Sequence, residues 1–315
     1  MVDNEEIVPG ESLKPVISRV LLETNQTHDT RKPLLVSLEK LFERPVVSLF
    51  TSFVFPAMIE DNDADMLEGI LQKMDLSRGL ALIINSPGGV GLASERIVNV
   101  CRNYSKTGEY WAIVPGKAKS AATMICFGAS RIFMGPSSEL GPVDPQLTVT
   151  EDGAVKRFSL CNVVQSYEEL IKDAVSCKGN VQPYLQQLAN YDARDIMEFK
   201  AAIELAKDIT VRSLASGMMK GRSPAEVEKN IAMFLTPKHT KSHGRPIYRD
   251  EVKSCDLNVE FLEAGQADRK WETLYELYIR ANHHTSHRVM KSIESKGHAF
   301  AMPLRGAFAK REPVQ

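Results

Sequence analysis

A glycine pair and a serine are the residues of this 315-residue chain best suited to chemistry. Ile84-Asn85-Ser86-Pro87-Gly88-Gly89 closes an apolar run (Leu80 to Ile84) in a Pro-Gly-Gly turn, and Gly116-Lys117-Ala118-Lys119-Ser120-Ala121-Ala122-Thr123 follows a second such run (Tyr110 to Val114). Glycine reaches backbone angles closed to other residues and carries no side chain, so a Gly-Gly pair opening a helix can aim main-chain N–H groups at a developing negative charge. Ser120, at the next strand-to-helix junction, would face those donors. Ala118, Ala121 and Ala122 are small enough for a substrate backbone to come close, and the Ala121 N–H is a further donor. Pro-Gly-Gly alone is an ordinary turn, and an Ala/Ser-rich helix alone is ordinary close packing. Their order and spacing, 31 positions from Gly89 to Ser120, point to a nucleophile opposite an oxyanion-binding turn.

Asn85-Ser86-Pro87-Gly88-Gly89, Ser120 behind its Gly116 lead-in, and Glu139-Leu140-Gly141-Pro142-Val143-Asp144-Pro145-Gln146 together resemble the Clp-protease-like (Clp/crotonase) superfamily of serine peptidases, over residues 45–260. The branch they resemble most is the one named serine dehydrogenase proteinase, related to signal peptide peptidase A. The resemblance implies an α/β fold with a repeated ββα core of parallel strands, a long helical C-terminal segment that lines the site, and assembly as a homo-oligomer. It also implies Ser120 as nucleophile, Gly88 and Gly89 as the oxyanion turn, and Ala121 as the residue after the nucleophile. Two departures stand out: Ala122 occupies a position that is commonly glycine, and Leu140 to Asp144 contains no histidine where the Clp proteolytic subunit has one. No histidine occurs between His28 and His239. A Clp-type Ser-His-Asp triad is therefore not expected, and an active Ser120 needs another base.

A serine hydroxyl is a poor nucleophile until a nearby group takes its proton, and a lysine can do so when burial lowers its pKa. Relatives of signal peptide peptidase A use a lysine on a helix downstream of the serine. Here the lysines to consider are Lys172, 52 residues after Ser120, and Lys200 and Lys207 on the helical pattern from Asp192 to Met219. Ile196, Phe199, Ile203, Ala206 and Leu214 form the apolar stripe of that helix, with Lys200 and Lys207 along one edge. Most lysines so placed extend into solvent; the resemblance favours Lys207. His243, in Ser242-His243-Gly244-Arg245-Pro246-Ile247, is the other option, as a base or as a hydrogen-bonding prop of the site. Asp144, between two prolines, reads first as a backbone cap in a rigid turn.

Composition is ordinary for a soluble protein: 43% apolar residues, 25% charged and a formal net charge of −1, with nothing that suggests nucleic acid or a membrane surface as partner. Five scattered cysteines (Cys101, Cys126, Cys161, Cys177, Cys255) without metal-ligand spacing predict reduced thiols in the cytoplasm. The N-terminus, Met-Val-Asp-Asn-Glu-Glu, is acidic where a signal peptide is basic, and no apolar run is long enough to span a bilayer.

The elements that must position these residues are legible. Strands are expected at Pro45–Phe53, Leu80–Ile84, Tyr110–Val114 and Arg131–Met134, alternating with helices at Asp61–Met74, Gly91–Ser105 and Ser120–Ala129, which implies parallel strands with right-handed crossovers. Thr148 to Phe158 reads as a hairpin around Asp152-Gly153, Leu160 to Leu235 as almost wholly helical, and Arg249 to Ser254 as a short helix. Residues 1–44 form an N-terminal amphipathic arm (Val16 to Leu22, Leu34 to Phe42), 45–265 the catalytic domain, and 266–315 a C-terminal helix and basic tail. The last 35 residues, with six Lys/Arg against two Glu and His283, His284 and His287 close together, predict a solvated basic helix rather than a metal site.

The expectation is a serine hydrolase, most simply an ATP-independent cytoplasmic peptidase acting on a peptide or protein substrate, with no metal or organic cofactor. Two rivals remain. A crotonase-type enzyme would use the same N–H pair for the enolate of an acyl thioester, and a non-catalytic oligomeric scaffold would need no base.

Overall fold

The computed structural model describes residues 15–304 except 152–153, 237–241, 266 and 268. The Asp152-Gly153 turn, the acidic N-terminus, His239 and the tail beyond residue 304 lie outside the described residues. In chain order the main elements are α1 (Val16–Leu22), α2 (Lys32–Phe42), β1 (Val46–Thr51), α3 (Asp61–Leu71), β2 (Leu80–Asn85), α4 (Gly91–Tyr104), β3 (Tyr110–Val114), β4 (Lys117–Ala118), α5 (Ala121–Gly128), β5 (Arg131–Met134), β6 (Glu139–Leu140), β7 (Gln146–Glu151) and β8 (Ala154–Ser159). There follow α6 (Leu160–Ser176), α7 (Gln182–Leu188), α8 (Ala193–Ala215), α9 (Pro224–Asn230), α10 (Ala232–Leu235), β9 (Ile247–Tyr248), α11 (Arg249–Ser254), β10 (Val259–Phe261), α12 (Lys270–His287), β11 (Val289–Ser295) and β12 (Ala299–Pro303).

A seven-stranded sheet of order β10-β5-β3-β2-β1-β11-β12 carries the fold. The five strands from β10 to β1 are parallel, and β11 and β12 add antiparallel. Every residue of β1 and β2 is buried, as a parallel strand covered on both faces requires. Strand side chains alternate between two cores: Val47, Leu49, Leu82, Ile84, Ala112 and Val114 face the layer of α3, α4, α5 and α8, whereas Val46, Phe50, Ala81, Ile83 and Ile113 face α2 and α12 through Leu35, Leu38, Trp271, Leu274 and Leu277. This is a mixed α/β architecture with a mostly parallel central sheet, and the α/β expectation holds.

Both ends depart from the expected arm and tail. α2 forms where its periodicity indicated, but Leu35, Leu38 and Phe42 are buried in the second core. After α12 the chain does not continue as a solvated basic helix; β11 pairs with β1 along Val47↔Ser295 to Thr51↔Lys291 and is buried throughout. Its charges are matched inside. Arg31 donates to both carboxylate oxygens of Glu294 at 2.8 and 2.6 Å, and the Lys291 ammonium lies 3.0 Å from Asp63.

A second, small sheet places the chemistry. β4 pairs parallel with β6, and β6 antiparallel with β9, so Ala118, Leu140 and Ile247 lie in one row. The chain leaves β4 and β6, and enters β9, at the same end.

Candidate active site

Ser120 follows β4 by two residues and caps α5 with φ 51° and ψ −119°. A side chain rarely adopts such angles; the bend lifts the serine off the strand-to-helix junction. Ser120 is half-buried, not sealed in the core. Ala121 and Ala122 behind it are buried, and the Ala121 N–H is the first of α5.

The glycine turn reaches the same place. Gly88 has φ 105°, and a Cβ there would lie 2.6 Å from the Lys119 carbonyl oxygen and 2.7 Å from the Ser120 Cβ. Only hydrogen fits between the turn and the serine. Gly89 pairs with Ile59 in an isolated parallel bridge: Ile59 N–H donates to Gly88 O at 2.8 Å and Val90 N–H to Ile59 O at 2.9 Å. A side chain on Gly89 would fall onto the Ile59 backbone. The Gly88 N–H donates to the buried Ser86 hydroxyl at 3.1 Å, so within the chain it has a partner. The Gly89 and Ala121 N–H groups take part in no hydrogen bond among the described residues, which leaves these two as the donors free to meet a substrate oxygen.

Several contacts that sequence reasoning missed fix this arrangement. Asn85 Oδ1 accepts the Lys117 N–H at 2.9 Å, tying β2 to β4. The Thr123 hydroxyl donates to Ala118 O at 2.8 Å and accepts the Gly141 N–H at 3.2 Å, tying α5 to the loop after β6. Lys119, next to Ser120, forms an ion pair with Glu139 at 2.8 Å, both side chains nearly buried, and donates to Leu140 O at 3.2 Å. Burial pulls its pKa down, against the opposing pull of Glu139. Nothing local marks these residues: each partner lies across a strand boundary.

Asp144 follows β6 by four residues and His243 precedes β9 by four, so both emerge with Ser120 at one end of the small sheet. His243 Nδ1 lies 2.7 Å from Asp144 Oδ1, and the carboxylate is wholly buried. Asp144 is thus no mere turn cap. The imidazole that meets Asp144 comes from a segment 99 positions further on, not from the 140–144 loop.

The lysines are placed differently. Lys172 is exposed on α6, and Lys200 pairs with Glu168 at 2.6 Å on the surface. Lys207 lines a cavity of about 210 Å³ that Asp144 also borders. Its ammonium lies 3.1 Å from Glu228 and 3.6 Å from Glu204, and the hydrogen-bonded Glu228 holds its pKa above the usual lysine value. A lysine so held is a poor proton acceptor. Among the described residues no cluster of three or more His, Cys, Asp or Glu side chains is arranged to hold a metal ion.

The profile of a family described as ClpP-like SDH-type serine proteinase matches residues 40–292. Two uncharacterized proteins of Methanocaldococcus jannaschii are each 27% identical: one over 238 residues, 76% of this chain and 68% of its own length, the other over 153 residues, 47% of this chain and 48% of its own. The chain thus spans about half the length of the second. Two structures of the 1510-N membrane-bound stomatin-specific protease, a serine-to-alanine mutant and a lysine-to-alanine mutant with a substrate peptide, are 20% and 19% identical. They cover 65% and 70% of this chain and 92% and 94% of their own, with TM-scores of 0.29 and 0.28.

Proposed function

The chain belongs to the family of ClpP-like SDH-type serine proteinases, and on that premise we propose that it hydrolyses peptides with Ser120 as nucleophile, His243 as general base and Asp144 as the residue that orients the imidazole. Ser120 Oγ attacks the substrate carbonyl as its proton passes to His243. The Gly89 N–H, on the turn shaped by Gly88, and the Ala121 N–H, the first of α5, stabilise the oxyanion. His243 then returns the proton to the leaving amine, and water, activated by the same imidazole, hydrolyses the acyl-enzyme.

The observation that carries this reading is the 2.7 Å hydrogen bond from His243 to buried Asp144, at the sheet end from which Ser120 also projects. It favours His243 over Lys207, whose ammonium is engaged by two carboxylates. The reading extends to a homo-oligomer without its own ATPase, working in the cytoplasm. Exposed Val175, Leu185 and Met197 on α6–α8 support assembly, and five unpaired cysteines support a reducing compartment.

The test is labelling with a small fluorophosphonate followed by peptide mapping. Modification confined to Ser120, lost in Ser120→Ala together with peptide hydrolysis, is the expected result. A wild-type protein that is neither labelled nor hydrolytic refutes the reading.

A further inference from the structure

The cavity beside Asp144 has a chemistry that its neighbours do not exhaust. Its lining is mostly apolar, with Val143, Pro145, Ile203, Ala206 and Leu235, and includes Glu204, Lys207 and Glu228, whose side chains reach solvent. Its volume of about 210 Å³ suits one large side chain. Helix α8, which supplies one wall, runs past the starts of α4 and α5: a Cβ on Gly91 would touch Ile209 and Met124. The cavity meets the proposed catalytic residues through Asp144, which lines it and holds His243.

Its charges do not balance. Two carboxylates, Glu204 and Glu228, share the single ammonium of Lys207. Asp144, with no exposed side-chain surface, uses one oxygen on His243, and its Oδ2 has no hydrogen-bond partner among the described residues. The negative field is felt on the same wall, where the Cys161 thiol is pushed up by burial and then by the Asp144 charge. An apolar channel with surplus carboxylate is matched by an alkyl stem ending in a cation.

Building on the peptidase reading above, we propose that this cavity receives a lysine or arginine side chain next to the scissile bond of the substrate. The stem packs between Ile203, Ala206 and Leu235, and the cationic head joins Lys207 in bridging Glu204 and Glu228.

Internally quenched peptides identical but for Lys, Arg, norleucine, Leu or Glu at the position flanking the cleaved bond test this. The expected kcat/KM for Lys and Arg exceeds that for norleucine by about tenfold, and the ratio falls below about threefold in the Glu204→Gln/Glu228→Gln variant. Norleucine or Leu cleaved as well as Lys, or a ratio unchanged in that variant, overturns the proposal. A measurement free of turnover accompanies it: titration calorimetry of the Ser120→Ala protein with n-butylguanidine and its neutral isostere n-butylurea. Tighter binding of the guanidine, lost in the Glu204→Gln/Glu228→Gln background, supports the cavity assignment, and equal binding of the two overturns it. Selective guanidine binding with no fluorophosphonate labelling would sink the peptidase reading while leaving cation recognition standing.

Discussion

His243 Nδ1 and Asp144 Oδ1 are 2.7 Å apart although 99 positions separate them in the chain. The contact joins the loop that leaves β6 to the loop that enters β9, and it gives the imidazole one defined orientation. Replacing Asp144 with Asn keeps the shape but favours the wrong tautomer. Asp144→Asn is expected to lower kcat by about a thousandfold to ten-thousandfold with KM little changed, and His243→Ala to cost as much. Lys207→Met should cost less than about threefold in kcat for a norleucine peptide. Steady-state kinetics of the three variants check the assignment; a dead Lys207→Met beside an active His243→Ala would reverse it.

Gly88 brings the glycine turn directly against Ser120. In Gly88→Ala the methyl group would meet the Lys119 carbonyl and the Ser120 side chain from a backbone at φ 105°. The expected result is a destabilisation of about 1–3 kcal/mol and a fall in kcat of about a hundredfold or more as the amide donors shift. Gly108→Ala serves as control: φ is 72° with open space around it, so about 1 kcal/mol of strain should appear in urea unfolding without loss of activity.

The Lys119–Glu139 pair fastens the strand before Ser120 to the strand before Asp144. Removing the lysine leaves a carboxylate nearly buried and alone, so Lys119→Met should cost about 2–4 kcal/mol. Because the penalty comes mainly from the orphaned charge, Lys119→Met/Glu139→Gln should regain part of it. Denaturant midpoints of the single and double variants measure the difference.

His284 gives stability a dependence on pH. Burial, and then the positive charge of Arg31, lowers its pKa from 6.5 to about 4. Between those values the unfolded chain binds a proton that the folded protein refuses, so stability rises with pH across that window and is lost as pH falls through it. The side chain is partly exposed, and the discounted contribution is about 1 kcal/mol, or a Tm change of about 2–4 °C. Thermal melts from pH 7 to pH 4 should show a shallower decline in His284→Asn than in wild type.

How much of this could be read in advance varies by element for physical reasons. β2, β3 and β5 were visible because a strand buried on both faces is a continuous apolar run, and α11 because its ends are sharply marked. β11 was not, since Lys291 and Glu294 interrupt its apolar pattern, and their partners Asp63 and Arg31 lie 228 and 263 positions away. The convergence of Ser120 and the glycine turn was legible because the tight backbone approach there admits only glycine at position 88. The Asp144–His243 contact was hidden: it depends on β4, β6 and β9, each two residues long, and no periodicity can be detected over two residues.

The order in which these parts leave the ribosome matters. Under the roles proposed above, the serine and both oxyanion donors have emerged by residue 121, but the histidine waits for residue 243 and the antiparallel partner of β1 for residues beyond 288. A half-made chain therefore carries a serine with no base to arm it. Delayed arrival of that base would act as a safety catch, protecting nearby nascent polypeptides until the site is complete.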